Sequence, residues 1–476
     1  MTWLFRPVCF CLIAISAVAW QTTDREARRL YVEPFATKAG GKLREDVAAE
    51  VRKLRSITVV SRESSADLTI GGGGEIWIKG YRSLDPRSGR SPSNGMPVYS
   101  GYLSVELKDK SGVTRWSYLV TPAADSTDVS RDLARRIAKH LAEGLAQVDP
   151  PTMPETPPQP AIILKAAGAT FPFPVYSKWF SNYRHANPGV QIDYDPVGSE
   201  AGIRKLLAGS VDFGASDNPE ALHALVPAEE HNYLLFPSTV GAVVPIVNLP
   251  GLPHDIAFTP EALVGIFLGK ITRWDDPLLA QANRGIRLPA LDITVVHRSD
   301  GSGTSYAFSD YLSRVSPERK SKAGLPLSPR WPAGRAAEGN EGVASLVKEL
   351  GGSIGYVEFI YALEHHLSYG RVRNRNGEFV AAGLESIAAA VTGEVEMRDD
   401  LKASIVDAPG RGAYSIASFT WLVVPAHIAD SAKRTAVTAF LRWMIGPGRR
   451  QSAALGYLPL PKDVVAKESQ AIAKIH

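Results

Sequence analysis

Cysteine is nearly missing from this chain. Only Cys9 and Cys11 occur in 476 residues, both inside the first apolar stretch. A mature chain without that stretch has no thiol, so disulfides, cysteine-ligated zinc and cysteine nucleophiles are excluded together. Charge of one sign is lacking too. The 53 basic and 49 acidic residues leave a net charge of +4, which gives no dense basic face for nucleic acid. Past the N-terminus no run approaches the roughly 18 apolar residues of a membrane span. Histidine-rich metal motifs are absent, His365-His366 being an isolated loop pair, and no G-x-S-x-G elbow occurs. Neither a metal nor a cofactor is expected.

What is present begins with MTWLFRPVCFCLIAISAVAW, where Arg6 precedes an apolar run and Ala17-Val18-Ala19. That is the layout of a secretory signal over residues 1–19, cleaved after Ala19. Neither cysteine follows the small apolar run that a lipoprotein site needs, which argues against lipid attachment.

The length suggests about three domains. Residues 150–160, PPTMPETPPQP, carry six prolines. Proline locks φ and favours an extended spacer, so a linker is expected over 148–160. Before it, residues 24–147 read as a small α/β domain of unknown role. Leu43, Val47, Val51 and Leu54 recur at helical spacing, as do Leu133, Ile137, Leu141 and Leu145. Strand-like runs fill the space between, in the order β-α-β-β-β-β-α. The GGGG at 71–74 lies inside a strand pattern and lacks the Lys-Ser/Thr of a phosphate loop, so a bulge is expected there. The loop 82–98, with Arg82, Arg87 and Arg90, reads as solvated. After the linker strands and helices alternate, which predicts an α/β fold with mainly parallel sheets.

Three strand ends in this second part share a design. AIILKA leads into AGATFPFPVYSKWF, where Thr170 and Phe171 precede Pro172 and Pro174 and an apolar stripe of Val175, Trp179 and Tyr183. VQIDYDPV leads into GSEAGIRKLL, with Ser199 expected at the N-cap. LDITVVHR leads into SDGSGTSYAFSDYL, where Ser302 and Thr304 open a helix beside Arg298. A helix N-terminus offers unpaired N–H groups and partial positive charge, which suits an anion. One such turn is good capping; three beside an arginine point to an oxyanion site. A fourth segment, SVDFGASDNPE, brings Asp217 to the same sheet edge.

In order and spacing, AAGATFPFPVYSKW, VGSEAGIRKLL, VDFGASDNP and HRSDGSGTSYAF resemble segments of the periplasmic phosphate-binding proteins of Pst-type ABC importers, the PstS family. GKITRWDDP, GSIGYVEFIYA, YSIASFTWLVVP and LGYLPLP add to the likeness, which covers about 160–465 and leaves out the first domain. The resemblance implies a two-lobed, type II periplasmic binding protein fold over 161–476, with one lobe from about 161–242 and 420–476 and the other from about 243–419. Segments 239–248 and 414–424 would cross between the lobes. It implies phosphate contacts at Thr170, Phe171, Ser199, Asp217, Arg298, Ser302, Gly303 and Thr304, with Asp300 pairing the arginine. It also implies a periplasmic location, and as partners inorganic phosphate and the membrane permease subunits of a phosphate ABC transporter. Glu200, after Ser199, departs from the family's small residue and is expected to face solvent.

The chemistry fits those roles. Arg298 supplies a permanent charge on a planar fork. A carboxylate beside an anion repels it unless it accepts a proton from it. Phosphate near neutral pH keeps a proton and sulfate keeps none, so Asp217 would accept from one and repel the other. Rival readings are a secreted phosphatase-like or serine hydrolase enzyme, or a phosphate sensor or scaffold of the cell envelope. The first suffers from the setting of Ser302, D-G-S-G with no evident histidine base, His297 being a strand residue. A binding protein, not an enzyme, is the expected class.

Overall fold

The computed structural model describes residues 27–36, 40–54, 56–82, 96–110, 112, 114–123, 126, 128–145, 162–220, 225, 232–249, 256–316, 327–392 and 397–476. The expected leader at 1–19, the proline segment 150–160, and Arg87 and Arg90 lie outside these residues.

Strands β1 (Arg28–Val32), β2 (Ile57–Val60), β3 (Leu68–Arg82), β4 (Met96–Asp109) and β5 (Thr114–Val120) form a five-stranded sheet in the order β2-β1-β3-β4-β5. The β1–β2 and β1–β3 pairs are parallel and the rest antiparallel. Helices α1 (Gly40–Val51) and α2 (Val129–Leu145) bury the predicted stripes, Leu43, Val47 and Val51 from one and Leu133, Ile137 and Leu141 from the other, all at 0% exposure. Leu54 falls just past α1 and packs at the margin of that core. The glycine run is not a bulge. Gly71–Gly74 continue in regular register opposite Glu106–Leu103, and the irregularity comes later, between Ile78 and Gly80. The glycines serve a close approach instead, since Ala36 bridges to Gly73 from β3's other side.

The second unit contains β6 (Ile162–Gly168), β7 (Val190–Asp195), β8 (Phe213–Ser216), β9 (Tyr233–Asn248), β10 (Ala257–Phe258), β11 (Thr294–Arg298), β12 (Arg335–Ala337), β13 (Ser353–Glu358), β14 (Ser368–Tyr369), β15 (Arg371–Arg373), β16 (Phe379–Val380) and β17 (Ala417–Pro425). Its helices are α3 (Phe173–Ala186), α4 (Ser199–Leu207), α5 (Pro260–Phe267), α6 (Pro277–Ala282), α7 (Gly303–Val315), α8 (Gly339–Glu349), α9 (Phe359–Glu364), α10 (Leu384–Thr392), α11 (Ser431–Ile445) and α12 (Lys462–Ile472), with a 3₁₀ run at Gly448–Leu455. A nine-stranded sheet runs β12-β11-β13-β9-β17-β8-β6-β7, with β14 beside β9.

Within this sheet parallel pairing is confined to the two wings, β12-β11-β13 and β8-β6-β7. The centre, β13-β9-β17-β8, is antiparallel, so the expectation of mainly parallel sheets holds only outside it. The reason lies in β9. Its first ten residues, Tyr233–Ala242, pair with β17, and its last six, Val243–Asn248, pair with β13. One long strand thus belongs to both wings, and a returning β17 completes the crossing. This is the frame of the type II periplasmic binding protein fold. The α3 stripe packs as its spacing predicts: Val175, Trp179 and Tyr183 are 0–2% exposed, and Tyr183 meets Phe440 of α11 edge-on.

The two units touch. Leu119 of β5 belongs to the larger unit's core. The Ser117 hydroxyl donates to Arg450 O at 2.5 Å and accepts from Ala454 N at 3.2 Å, serving the 3₁₀ run. Lys178 pairs with Glu106 and Lys139 with Glu385, while His366 stacks on Trp77 and lies 2.7 Å from Glu75.

Candidate functional site

The C-terminal ends of β6, β8 and β11 and the first turns of α4, α7 and α8 converge. Pro172 ends the turn after β6, and Pro174 sits where a missing N–H costs nothing, so α3 starts at Phe173 and leaves Thr170 and Phe171 at the strand end. The second turn differs from expectation. Gly198, not Ser199, is the N-cap of α4, and Ser199 is the first helical residue. Gly198 has φ 91°, and a Cβ there would strike Asp300 Oδ2 and Gly301 O. Only glycine satisfies both that backbone and that approach. In the third turn Ser302 is the N-cap, its hydroxyl accepting from Ser305 N at 3.0 Å.

All the predicted residues come together. Thr170, Phe171, Ser199, Asp217, Arg298, Ser302 and Thr304 are at most 8% exposed. Gly303 closes the gap between the second and third turns. Its N–H donates to Ser199 Oγ at 3.1 Å, and a Cβ on it would strike Asp217 Oδ2 and Ser199 Oγ. Arg298 donates from Nε to Asp300 Oδ1 at 2.7 Å, from Nη2 to Asp300 Oδ2, and from Nη1 to Thr304 Oγ1 at 3.5 Å. Asp300 also accepts from Gly339 N at 3.1 Å. Burial pushes its carboxyl up, but the Arg298 hydrogen bond and charge and the Gly339 N–H outweigh that and hold it below the usual range.

Donors dominate this pocket. Ser199 Oγ already accepts from Gly303 N and, at 3.4 Å, from Asp217 N, and Ser302 Oγ accepts from Ser305 N. A hydroxyl whose oxygen receives donors has its hydrogen left to give. Asp217 is the counterweight. Its Oδ1 accepts from Thr420 Oγ1 at 2.5 Å, and its Oδ2 is buried with no partner among the described residues. Burial drives its pKa up to about 7, against the opposing pull of the Thr420 hydrogen bond and the Arg298 charge. Near neutral pH it stands ready to give or take one proton. Thr420 lies where the β9–β17 register shifts, Ser238 of β9 being the extra residue, whose hydroxyl donates to Thr420 O at 3.0 Å.

Glu200 turns away from the pocket, accepting from Arg204 Nη2 at 2.7 Å and from Ser328 at 3.3 Å. His297 Nδ1 lies 3.0 Å from Arg298 O, and the Ser302 oxygen accepts the helix-cap N–H of Ser305. Among the described residues no group of three or more His, Asp or Glu could hold a metal ion. Sequence reasoning missed Asn340, Tyr361, Tyr457 and Thr420. Asn340 Nδ2 donates to Thr170 Oγ1 at 3.0 Å and Thr304 Oγ1 at 3.2 Å. Tyr361 donates to Thr170 O at 2.7 Å, on the peptide that carries the Phe171 N–H, and Tyr457 donates to Phe171 O at 2.6 Å. A signal for the first existed in Gly339-Asn340, where a left-handed glycine (φ 68°) opens a helix after a strand. The tyrosines carry no local mark.

A sheet with two wings joined by crossing strands, and a buried donor-rich pocket at the strand ends, defines a two-lobed substrate-binding protein. The PBP superfamily domain matches residues 149–447. The phosphate-binding protein PstS of Xylella fastidiosa strain Temecula1 is 41% identical over 307 residues, covering 64% of this chain and 83% of that protein. The phosphate-binding protein PstS of Pasteurella multocida is 38% identical, covering 64% and 88%. The solved structure of a high-affinity periplasmic phosphate-binding protein, PfluDING, bound with phosphate, has the same fold at TM-score 0.53 and 20% identity, covering 66% of this chain and 93% of that one. The chain belongs to the PBP superfamily and, within it, to the PstS phosphate-binding proteins.

Proposed function

We propose that this protein binds inorganic phosphate in the periplasm and delivers it to the membrane subunits of an ABC importer. Thr170, Phe171, Ser199, Arg298, Ser302, Gly303 and Thr304 supply donors, Asp217 supplies the acceptor, and Asp300 holds the Arg298 fork. The lobes are about 161–242 with 420–476 and about 243–419. The leader is removed after Ala19, and residues 24–147 are carried as a separate unit on the 148–160 linker. The names of the PstS relatives support the ligand.

One observation carries the reading: the buried carboxyl of Asp217, with a partnerless oxygen, faces a cluster of donors. Bare donors suit any tetrahedral oxyanion. The added acceptor suits one that still holds a proton, and hydrogen bonds to charged groups contribute about 1.5–3 kcal/mol each. With its pKa near 7, Asp217 and the anion share one proton between them, and the anion keeps its other oxygens for Arg298 and the hydroxyls. The reading is of binding without chemical change, in keeping with the names of the PstS relatives. Titration calorimetry of the mature protein tests this. Phosphate should bind and sulfate should not; a protein that ignores phosphate, or takes sulfate equally, overturns the reading.

A further inference from the structure

We propose that Asn340 is a positioning residue that forces the Thr170 and Thr304 hydroxyls to donate into the pocket; this rests on reading the pocket as a phosphate site. Asn340 is 0% exposed at the start of α8. Its Oδ1 accepts the backbone N–H of Glu358 at 3.1 Å, which settles which end of the amide is oxygen. The Nδ2 group therefore points the other way, and its two hydrogens are divided between Thr170 Oγ1 and Thr304 Oγ1. Thr304 Oγ1 receives Arg298 Nη1 as well.

The consequence is directional. Neither the amide nitrogen nor the guanidinium can accept a hydrogen bond. Each threonine hydroxyl has its oxygen occupied by donors, and its hydrogen must find an acceptor elsewhere. An unmade hydrogen bond at a buried site is costly. A phosphate oxygen is the acceptor on offer in a donor-lined pocket, so Asn340 turns two ambivalent hydroxyls into committed donors. Thr170 stands on the turn after β6 and Thr304 on α7, one in each wing of the sheet, so a single amide also sets the two turns in register.

Asn340→Asp is the sharpest test. Its carboxylate presents acceptors where the amide presented donors, so the hydroxyl hydrogens swing to it and away from the anion. Phosphate Kd by calorimetry should weaken by about 30-fold or more at around pH 8, as expected for two lost donors and an added like charge. The deficit relative to wild type should shrink toward about pH 5, where the new carboxyl takes up a proton and regains a hydrogen to donate. Glu358 bonds Asn340 directly, and Asp300, Arg298 and Tyr361 reach the position through Gly339, Thr304 and Thr170 in both proteins, so the ratio of variant to wild type offsets their own titrations. The added charge alone also makes that ratio vary with pH, so the orienting role is separated from it by the uncharged Asn340→Ala in the two threonine backgrounds below. A variant within about threefold of wild type, or with the same deficit at both pH values, overturns the proposal.

Should Asn340→Asp fail to fold, Asn340→Ala serves. Its loss should be about fivefold in wild type and smaller in a Thr170→Val, Thr304→Val background, where no hydroxyl remains to be oriented. Equal losses in the two backgrounds overturn the role. A wild type that does not bind phosphate instead overturns the reading of the pocket, and this role with it.

Discussion

The N-terminal unit and the larger unit both bury apolar stripes under a sheet, yet they treat polar groups in opposite ways. Among the described residues of 28–145 the buried polar side chains are few: Ser117 serves a neighbouring 3₁₀ run, and Arg115 pairs with Asp109. The larger unit buries Thr170, Ser199, Asp217, Arg298, Ser302, Thr304, Asn340 and Glu358, with most of them around one point. Desolvating such groups costs free energy unless hydrogen bonds or a ligand return it. A fold keeps them where something binds. The contrast concentrates the buried polar groups in the larger unit.

The largest effect should come from the residue that most violates the burial rule. Asp217→Asn keeps an acceptor for Thr420 but adds an amide that can donate. Sites built around an obligatory hydrogen bond discriminate by about 10⁴–10⁵ against a ligand that cannot make it. Competition titrations near neutral pH should show sulfate binding become measurable and phosphate binding survive in part. Continued exclusion of sulfate would place selectivity elsewhere. The same variant reports on stability. Folding raises the Asp217 pKa from 3.8 to about 7, so the folded state holds the proton more tightly than the unfolded one. That contribution is fully present below the unfolded pKa and is lost as pH rises through about 7. Ligand-free Asp217→Asn should therefore gain roughly 2–4 kcal/mol over wild type at alkaline pH, and the gain should fade on acidification. Urea melts across that range would check it.

Next comes Arg298. Its fork is fixed by Asp300 and aimed past Thr304, so Arg298→Lys keeps the charge and loses the geometry. Phosphate affinity should fall at least about tenfold, roughly 1.4 kcal/mol. Unchanged affinity by calorimetry would demote the arginine to a bystander.

What the sequence revealed follows the range of the interactions. Turn chemistry is local, so the segments around Thr170, Ser199 and Ser302 were legible from glycine, proline and hydroxyl spacing alone. The shift of the N-cap from Ser199 to Gly198 was not, because it depends on Asp300 and Gly301 approaching from a distant turn. The antiparallel centre of the sheet was hidden for the same reason. Strand pairing is a property of β9 meeting two partners, and nothing within β9 announces it. Tyr361 and Tyr457 read as core aromatics, and their hydroxyls find Thr170 O and Phe171 O only after folding. The glycine run misled because glycine marks both bulges and close backbone approach, and here Ala36 makes the second the answer.

The smallest effect on binding, and the one that tests the division itself, should come from removing the N-terminal unit. Six prolines in 150–160 argue for a chain beginning near Ala161 that folds and binds alone. Its phosphate Kd should stay within about threefold of the mature protein's, since none of the proposed site residues comes from 28–145. Stability is another matter. Truncation uncovers the apolar surface that Leu119 fills and takes the Ser117 hydroxyl from Arg450 O and Ala454 N. Each buried polar group left without its partner costs about 1–3 kcal/mol unless water replaces it. The shortened chain should therefore melt several degrees lower, by roughly 2–4 °C per kcal/mol lost in a unit of this size. Ser117→Ala in the full chain should reproduce part of that drop with no change in affinity. If the truncated protein binds phosphate much more weakly while remaining folded, the contacts at Glu106, Glu385 and His366 hold the two wings in their binding arrangement, and the N-terminal unit belongs to the site after all.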